Sequence, residues 1–125
     1  MVKLLFIALG GALGSLARYG ASGLAHQKYN GVFPVGTLTV NLVGSFLIGL
    51  LWGLAENSTL NPNVRTFLFV GILGGFTTFS TFSLETINLL RDGEFKLALV
   101  NVLLNNLVGI VLAFVGLMLA KNINT

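Results

Sequence analysis

Apolar side chains run along this chain in four long blocks, and most polar positions fall in the short gaps between them. The first block covers about residues 2–25 and is interrupted by Arg18; the second, 35–55, carries no charge. The third, 64–90, is the longest, and the fourth, 97–120, is again uncharged. A helix needs about 20 apolar residues to cross the hydrocarbon of a bilayer, and each block supplies them. The gaps HQKYNGVFP, ENSTLNPN and RDGEFK hold the Pro, Gly, Asn and charged residues that turns and loops favour. The pattern predicts an all-α integral membrane protein: one domain over residues 1–125, with four transmembrane helices. Short connections make sequential helices antiparallel, and no stretch is left for a domain outside the membrane. Lys3 followed by an apolar run resembles a signal peptide, but the run is too long and no cleavage pattern precedes Arg18, so the segment is expected to be retained.

Composition supports the same reading. The chain is 54% hydrophobic and 9% charged, whereas a soluble domain carries about a quarter charged residues. Its net charge of +3 comes from scattered residues, with no basic cluster of the kind that binds nucleic acid. There is no cysteine, one histidine and four acids, of which only Glu85 lies well within a span. That inventory offers no nucleophile–base pair and no metal cluster, so no enzyme is expected.

Charge placement bears on orientation. Lys3, Arg65 and Lys121 lie on one side of the membrane, and Lys28, Arg91 and Lys96 on the other. Positively charged loops normally settle on the cytoplasmic side, and three against three gives no bias. A chain without bias is expected to insert both ways, allowing the two orientations to pair as an antiparallel homodimer. Small residues at four-residue spacing (Gly10 and Gly14, Ser45 with Gly49 and Gly53, Gly71 and Gly75) let helices approach closely in lipid. They serve packing within the bundle, a second subunit, or both.

Within the third block, GGFTTFSTFS over residues 74–83 breaks the pattern. Thr77, Thr78, Ser80, Thr81 and Ser83 place five hydroxyls in seven residues, behind Gly74 and Gly75. The glycines are expected to relax the helix and the hydroxyls to bond freed carbonyls or line a wet path. Irregular backbone at membrane depth is tolerated only when buried in protein or facing water. Phe76, Phe79 and Phe82 recur every third residue among the hydroxyls. A phenyl ring has a positive edge, so rings presented edge-on stabilise an anion without trapping it, and conduction requires that balance.

Other spans carry matching polar groups. Thr37, Thr39, Asn41 and Ser45 lie on the second, and Asn101, Asn105 and Asn106 on the fourth. An asparagine amide donates two hydrogen bonds, which suits a dehydrated halide, and it serves equally well to join two helices. Arg18, costly inside a span, should face a water-filled vestibule or a partner. Glu85 could pair with Arg18 or a hydroxyl.

The FSTF of residues 79–82, preceded by GGFTT and followed by Ser83 and Glu85, resembles the signature of the Fluc (CrcB-type) fluoride channels. GGALGSLARY in the first span and NLVGSF in the second resemble that family's corresponding segments. The resemblance implies a passive fluoride-selective channel in the cytoplasmic membrane of a microbe: an antiparallel homodimer with two pores and a structural sodium ion at its centre. It further implies that Phe79 and Phe82 line each pore, with Asn41 as the pore asparagine and Ser80 and Thr81 beside the rings. Arg18 would stand at an electropositive vestibule, and the main-chain carbonyls of Gly74 and Thr77 from both subunits would hold the sodium. Rings, hydroxyls and amides by themselves predict a narrow anion path; fluoride comes from the resemblance. The rival reading is a small dual-topology drug or cation exporter, which needs a membrane-embedded carboxylate to couple protons; only Glu85 approaches that.

Overall fold

The computed structural model describes residues 1–124, and the described residues are helical apart from turns and one break. Helix α1 spans Val2–Gln27 and α2 spans Val35–Ala55. The third span, Pro62–Arg91, consists of α3, residues 62–76, and α4, Phe79–Arg91. Helix α5, Phe95–Ile123, completes four segments of 26, 21, 30 and 29 residues, each long and apolar enough to cross a membrane. At about 1.5 Å per residue, even α2 reaches across a hydrocarbon core of about 30 Å. This is a multi-pass membrane protein.

Local sequence explains the ends. Pro62 opens α3, where its missing N–H costs nothing, and Asn61 caps it by accepting from the Asn63 N–H at 2.8 Å. Gly93 closes α4 with φ of 80°, a left-handed conformation suited to glycine. Its N–H reaches the Leu90 carbonyl at 3.1 Å, and the Glu94 N–H reaches Leu89 at 2.8 Å. Arg65 donates to the Ala55 carbonyl at the end of α2 (3.1 Å) and lies 5.7 Å from the centre of the Trp52 ring. A cation at a helix C-terminus is favourable, so Arg65 ties the start of α3 to the end of α2.

Two tight helix pairs build the bundle, α1 with α3 and α2 with α5. Gly10 and Gly71 bring α1 and α3 backbone to backbone: a Cβ on Gly10 would lie 2.6 Å from the Phe67 carbonyl oxygen, and one on Gly71 would lie 2.8 Å from the Gly10 Cα. Between α2 and α5, a Cβ on Gly49 would run into the Ala113 carbonyl. Lipid gives apolar helices no hydrophobic reason to associate, so such close approaches carry the packing. The buried residues are accordingly small or few, among them Val40, Leu73, Ala98 and Ala120. The outside is apolar: Leu9 and Leu16 of α1 and Ile110 and Phe114 of α5 are each more than half exposed.

Helices α3 and α5 each widen into one π-helical stretch, Phe67–Ile72 and Leu104–Val108. Such turns concentrate at functional sites. The first faces α1; the second carries Asn105 and Asn106.

Candidate functional site

The third span breaks at Thr77 and Thr78, not at the glycines expected to relax it. Gly74 and Gly75 remain helical, while Thr77 (φ −87°, ψ 160°) and Thr78 (φ −149°, ψ 123°) are extended. β-branched residues favour that conformation, and their hydroxyls help to hold it. Thr77 donates to the Leu73 carbonyl at 3.1 Å, finishing α3. Thr78 caps α4: its hydroxyl oxygen accepts from the Thr81 N–H at 3.2 Å and its hydroxyl pairs with that of Thr81 at 3.1 Å. Gly44 of α2 leaves room for the break, since a Cβ there would collide with the Thr77 methyl.

Two long polar side chains secure the interrupted backbone. Asn41 of α2 accepts from the Thr78 N–H at 2.8 Å and donates to the Thr78 carbonyl at 3.0 Å. From the opposite side, Arg18 of α1 donates through Nε to the Gly75 carbonyl at 3.0 Å. In lipid an unsatisfied backbone group is expensive, so these bonds make the break tenable. Arg18 thus caps the part-buried Gly75 carbonyl rather than pairing with Glu85.

The amide of Asn41 also heads a relay. Its nitrogen donates to Asn105 Oδ1 at 2.8 Å; the Asn105 amide donates to Asn101 Oδ1 at 3.0 Å and to the Asn101 carbonyl at 2.9 Å. Asn101, 1% exposed, donates to the Thr86 hydroxyl at 3.0 Å, which donates to the Phe82 carbonyl at 2.8 Å. The chain of bonds links α2 and α5 to Thr78 at the break and to the first turns of α4. Thr86 was not among the residues singled out in the sequence; its place four residues after Phe82 was the available signal.

A cavity of about 340 Å³ opens beside the break, and Asn41, Thr77, Thr78, Phe79, Phe82 and Asn105 are among its walls. Phe82 is 6% exposed and Phe79 71%. Their ring centres lie 5.3 Å apart with the planes inclined at 56°, so the two rings present different aspects to the same space. Gly74 also lines this cavity. Ser80, Thr81 and Arg18 do not: Ser80 is exposed, Thr81 is held to Thr78, and Arg18 is bonded to the Gly75 carbonyl.

The break also bears on the sodium expected there. The Thr78 N–H, which would close the helical bond to the Gly74 carbonyl, turns to Asn41 instead. Gly74 is exposed and its surroundings are open, with only the Phe69 oxygen near, at 3.8 Å from where a Cβ would stand. Freed carbonyls of this kind are the donors that unwound helices offer to sodium, so the Gly74 carbonyl fits the ion chemically, and Thr77 belongs to the extended stretch of the break.

Glu85 lies outside this arrangement. Its Oε1 is buried with no hydrogen-bond partner among the described residues. It borders a second cavity, about 250 Å³, together with His26, Asn88, Asp92 and Glu94 near one end of the bundle.

A family model described as "CrcB-like protein, Camphor Resistance (CrcB)" matches residues 5–117. The chain is 48% identical over 125 residues to a protein of Parabacteroides distasonis, covering 100% of this chain and 98% of the relative. It is 52% identical over 116 residues to one from Salinibacter ruber, covering 93% and 87%. For one from Geobacter metallireducens the identity is 50% over 124 residues, covering 98% and 100%. All three relatives bear the name "Fluoride-specific ion channel FluC". They are ion channels by name, not enzymes.

Proposed function

Since the chain belongs to the CrcB family, we propose that it is a fluoride-selective channel, passing the ion down its gradient and exporting it across the cytoplasmic membrane. One observation carries this reading: the interrupted third span opens a membrane-depth cavity walled by two phenyl rings and the amide side chains of Asn41 and Asn105.

A small anion in that space meets the rings of Phe79 and Phe82, whose edges carry partial positive charge, and the side-chain amide of Asn41. The N-terminal end of α4 at Phe79 adds the partial positive charge of a helix start. Each contact is weak, and weak sites in series favour passage over capture. Ser80 and Thr81 extend the hydroxyl surface beyond the rings, and Arg18 attracts the anion towards the membrane interior from the α1 side.

The functional unit in this reading is an antiparallel homodimer with two pores. The exposed apolar faces of α1 and α5 and the even charge distribution support it. Gly74 and Thr77 of both subunits would hold a sodium ion on the axis, which supplies positive charge joining the two breaks. The exporter alternative requires a carboxylate in the transport cavity, and Glu85 borders the other cavity.

Growth tests the reading in cells. A bacterium lacking its own fluoride exporter should regain growth in millimolar-range fluoride when it expresses this chain. No rescue by protein that reaches the membrane counts against fluoride export. For topology, the absence of native cysteine allows a single cysteine at a terminus to be labelled with an impermeant reagent. Labelling from both faces is expected; labelling from one face alone defeats the antiparallel arrangement.

A further inference from the structure

We propose that Asn105 is an internal competitor of the permeating anion: its side-chain oxygen occupies the Asn41 donor, and passage requires that bond to open. The inference rests on the channel reading above and adds a moving part to it.

The hydrogen-bond count carries the argument. A primary amide has two N–H donors. Asn41 commits one to the Thr78 carbonyl at 3.0 Å and the other to Asn105 Oδ1 at 2.8 Å. The Thr78 N–H lies against Asn41 Oδ1, which fixes the orientation of this amide and excludes a flipped assignment. Asn41 therefore has no spare donor for an ion in the cavity. The bond to Thr78 is half of the stitch across the helix break, and releasing it would strand backbone groups at membrane depth. The bond to Asn105 joins two side chains on the cavity wall, and an anion can replace its acceptor directly.

Asn105 is set up for such an exchange. It sits on the π-helical stretch of α5, and its amide nitrogen is anchored to Asn101 by two bonds, at 2.9 and 3.0 Å. The anchor aims Oδ1 at Asn41 and keeps Asn105 in place when an ion takes over the donor. With the competitor bound, the donor is never left unpaired in a low-dielectric site, where an orphaned polar group is costly. With an anion bound, a charge-assisted bond replaces a neutral one. The neutral competitor thus sets a threshold that a weakly hydrogen-bonding solute does not cross, making Asn105 a specificity-determining residue.

The test compares wild-type protein with Asn105→Ala in liposomes, reading fluoride flux against fluoride concentration with a selective electrode. Without the competitor, the half-saturating concentration should fall about fivefold, the equivalent of the roughly 1 kcal/mol a neutral hydrogen bond contributes net. A half-saturating concentration that is unchanged or higher overturns the proposal, because Asn105 would then be a ligand of the ion or mere packing. Should the alanine variant fail to fold, wild-type protein with labelled asparagine answers by solid-state NMR in bilayers. Fluoride should shift the Asn105 side-chain carbonyl and the Asn41 amide nitrogen together, and gluconate neither. An Asn105 signal that stays fixed while the same vesicles conduct fluoride overturns it. Wild-type vesicles that do not conduct fluoride instead remove the channel reading itself.

Discussion

Asn41 and Thr78 are joined by two hydrogen bonds, side-chain amide to main-chain peptide, at 2.8 and 3.0 Å. A side chain from α2 thereby does for the third span what its own helical ladder cannot. Replacing Asn41 with Leu removes both bonds and strands the Thr78 N–H and carbonyl, at about 1–3 kcal/mol for each unsatisfied group. Asn41→Leu should lower the unfolding midpoint in detergent and abolish fluoride flux. Asn41→Asp keeps the acceptor for Thr78 N–H but loses both donors, so it should fold better than the leucine variant and still conduct poorly. Equal stability of wild type and Asn41→Leu would mean that the stitch contributes nothing.

The two phenylalanines should separate experimentally. Phe79 is 71% exposed in the single chain and Phe82 6%. Truncating a buried Phe costs about 3–5 kcal/mol, so Phe82→Ala should destabilise the fold as well as block flux. Phe79→Ile should leave the single chain's stability nearly unchanged and reduce flux at least tenfold, which at about 1.4 kcal/mol per factor of ten is a modest loss of ion stabilisation. Thermal unfolding alongside electrode flux checks both. Full flux in Phe79→Ile would make that ring a lipid or packing contact.

The glycine approaches give a stability contrast. Gly49→Ala puts a Cβ into the Ala113 carbonyl, whereas a Cβ on Gly20 meets nothing within 4 Å. Overpacking of this kind typically costs about 1–3 kcal/mol, while Ala in an open helical position gains up to about 1 kcal/mol over Gly. Gly49→Ala should lower the unfolding midpoint and Gly20→Ala should not. A reversed order would contradict the α2–α5 packing described above.

Arg18 and the proposed sodium act on the same break and can be told apart. Arg18→Ala removes the donor to the Gly75 carbonyl and should cut flux in any salt. Arg18→Lys keeps the charge but not the fixed Nε geometry and should recover flux only in part. Replacing all sodium with a bulky organic cation should weaken the dimer in wild type and in both variants, as followed by light scattering in detergent. A dimer indifferent to sodium removal would exclude the ion from the Gly74 and Thr77 carbonyls.

Some of this was legible in the sequence because membrane burial enforces simple rules. Charge-free runs of sufficient length have no other stable home, so the four spans and the all-helical class follow from composition. A dense group of hydroxyls behind two glycines marked the third span as irregular. The position of the break was less legible: glycine permits irregularity but does not require it, and here Gly75 is held helical against α1 while the β-branched Thr77 and Thr78 take the extended conformation. The amide relay was hidden for another reason. Asn41 and Asn105 stand 64 residues apart, and nothing local in either sequence says that one amide will satisfy the other. The Arg18 contact was equally non-local, since either an acid or a freed carbonyl would have sufficed.

The central claim is best tested by anion efflux from liposomes that contain purified, folded protein. Fluoride and chloride release are recorded side by side with ion-selective electrodes after the membrane potential is collapsed. Rapid fluoride release with chloride retained is the expected outcome, without any dependence on a proton gradient or nucleotide. Comparable release of the two ions, or no release of fluoride, would mean that the ring-and-amide cavity at the helix break is not a fluoride path.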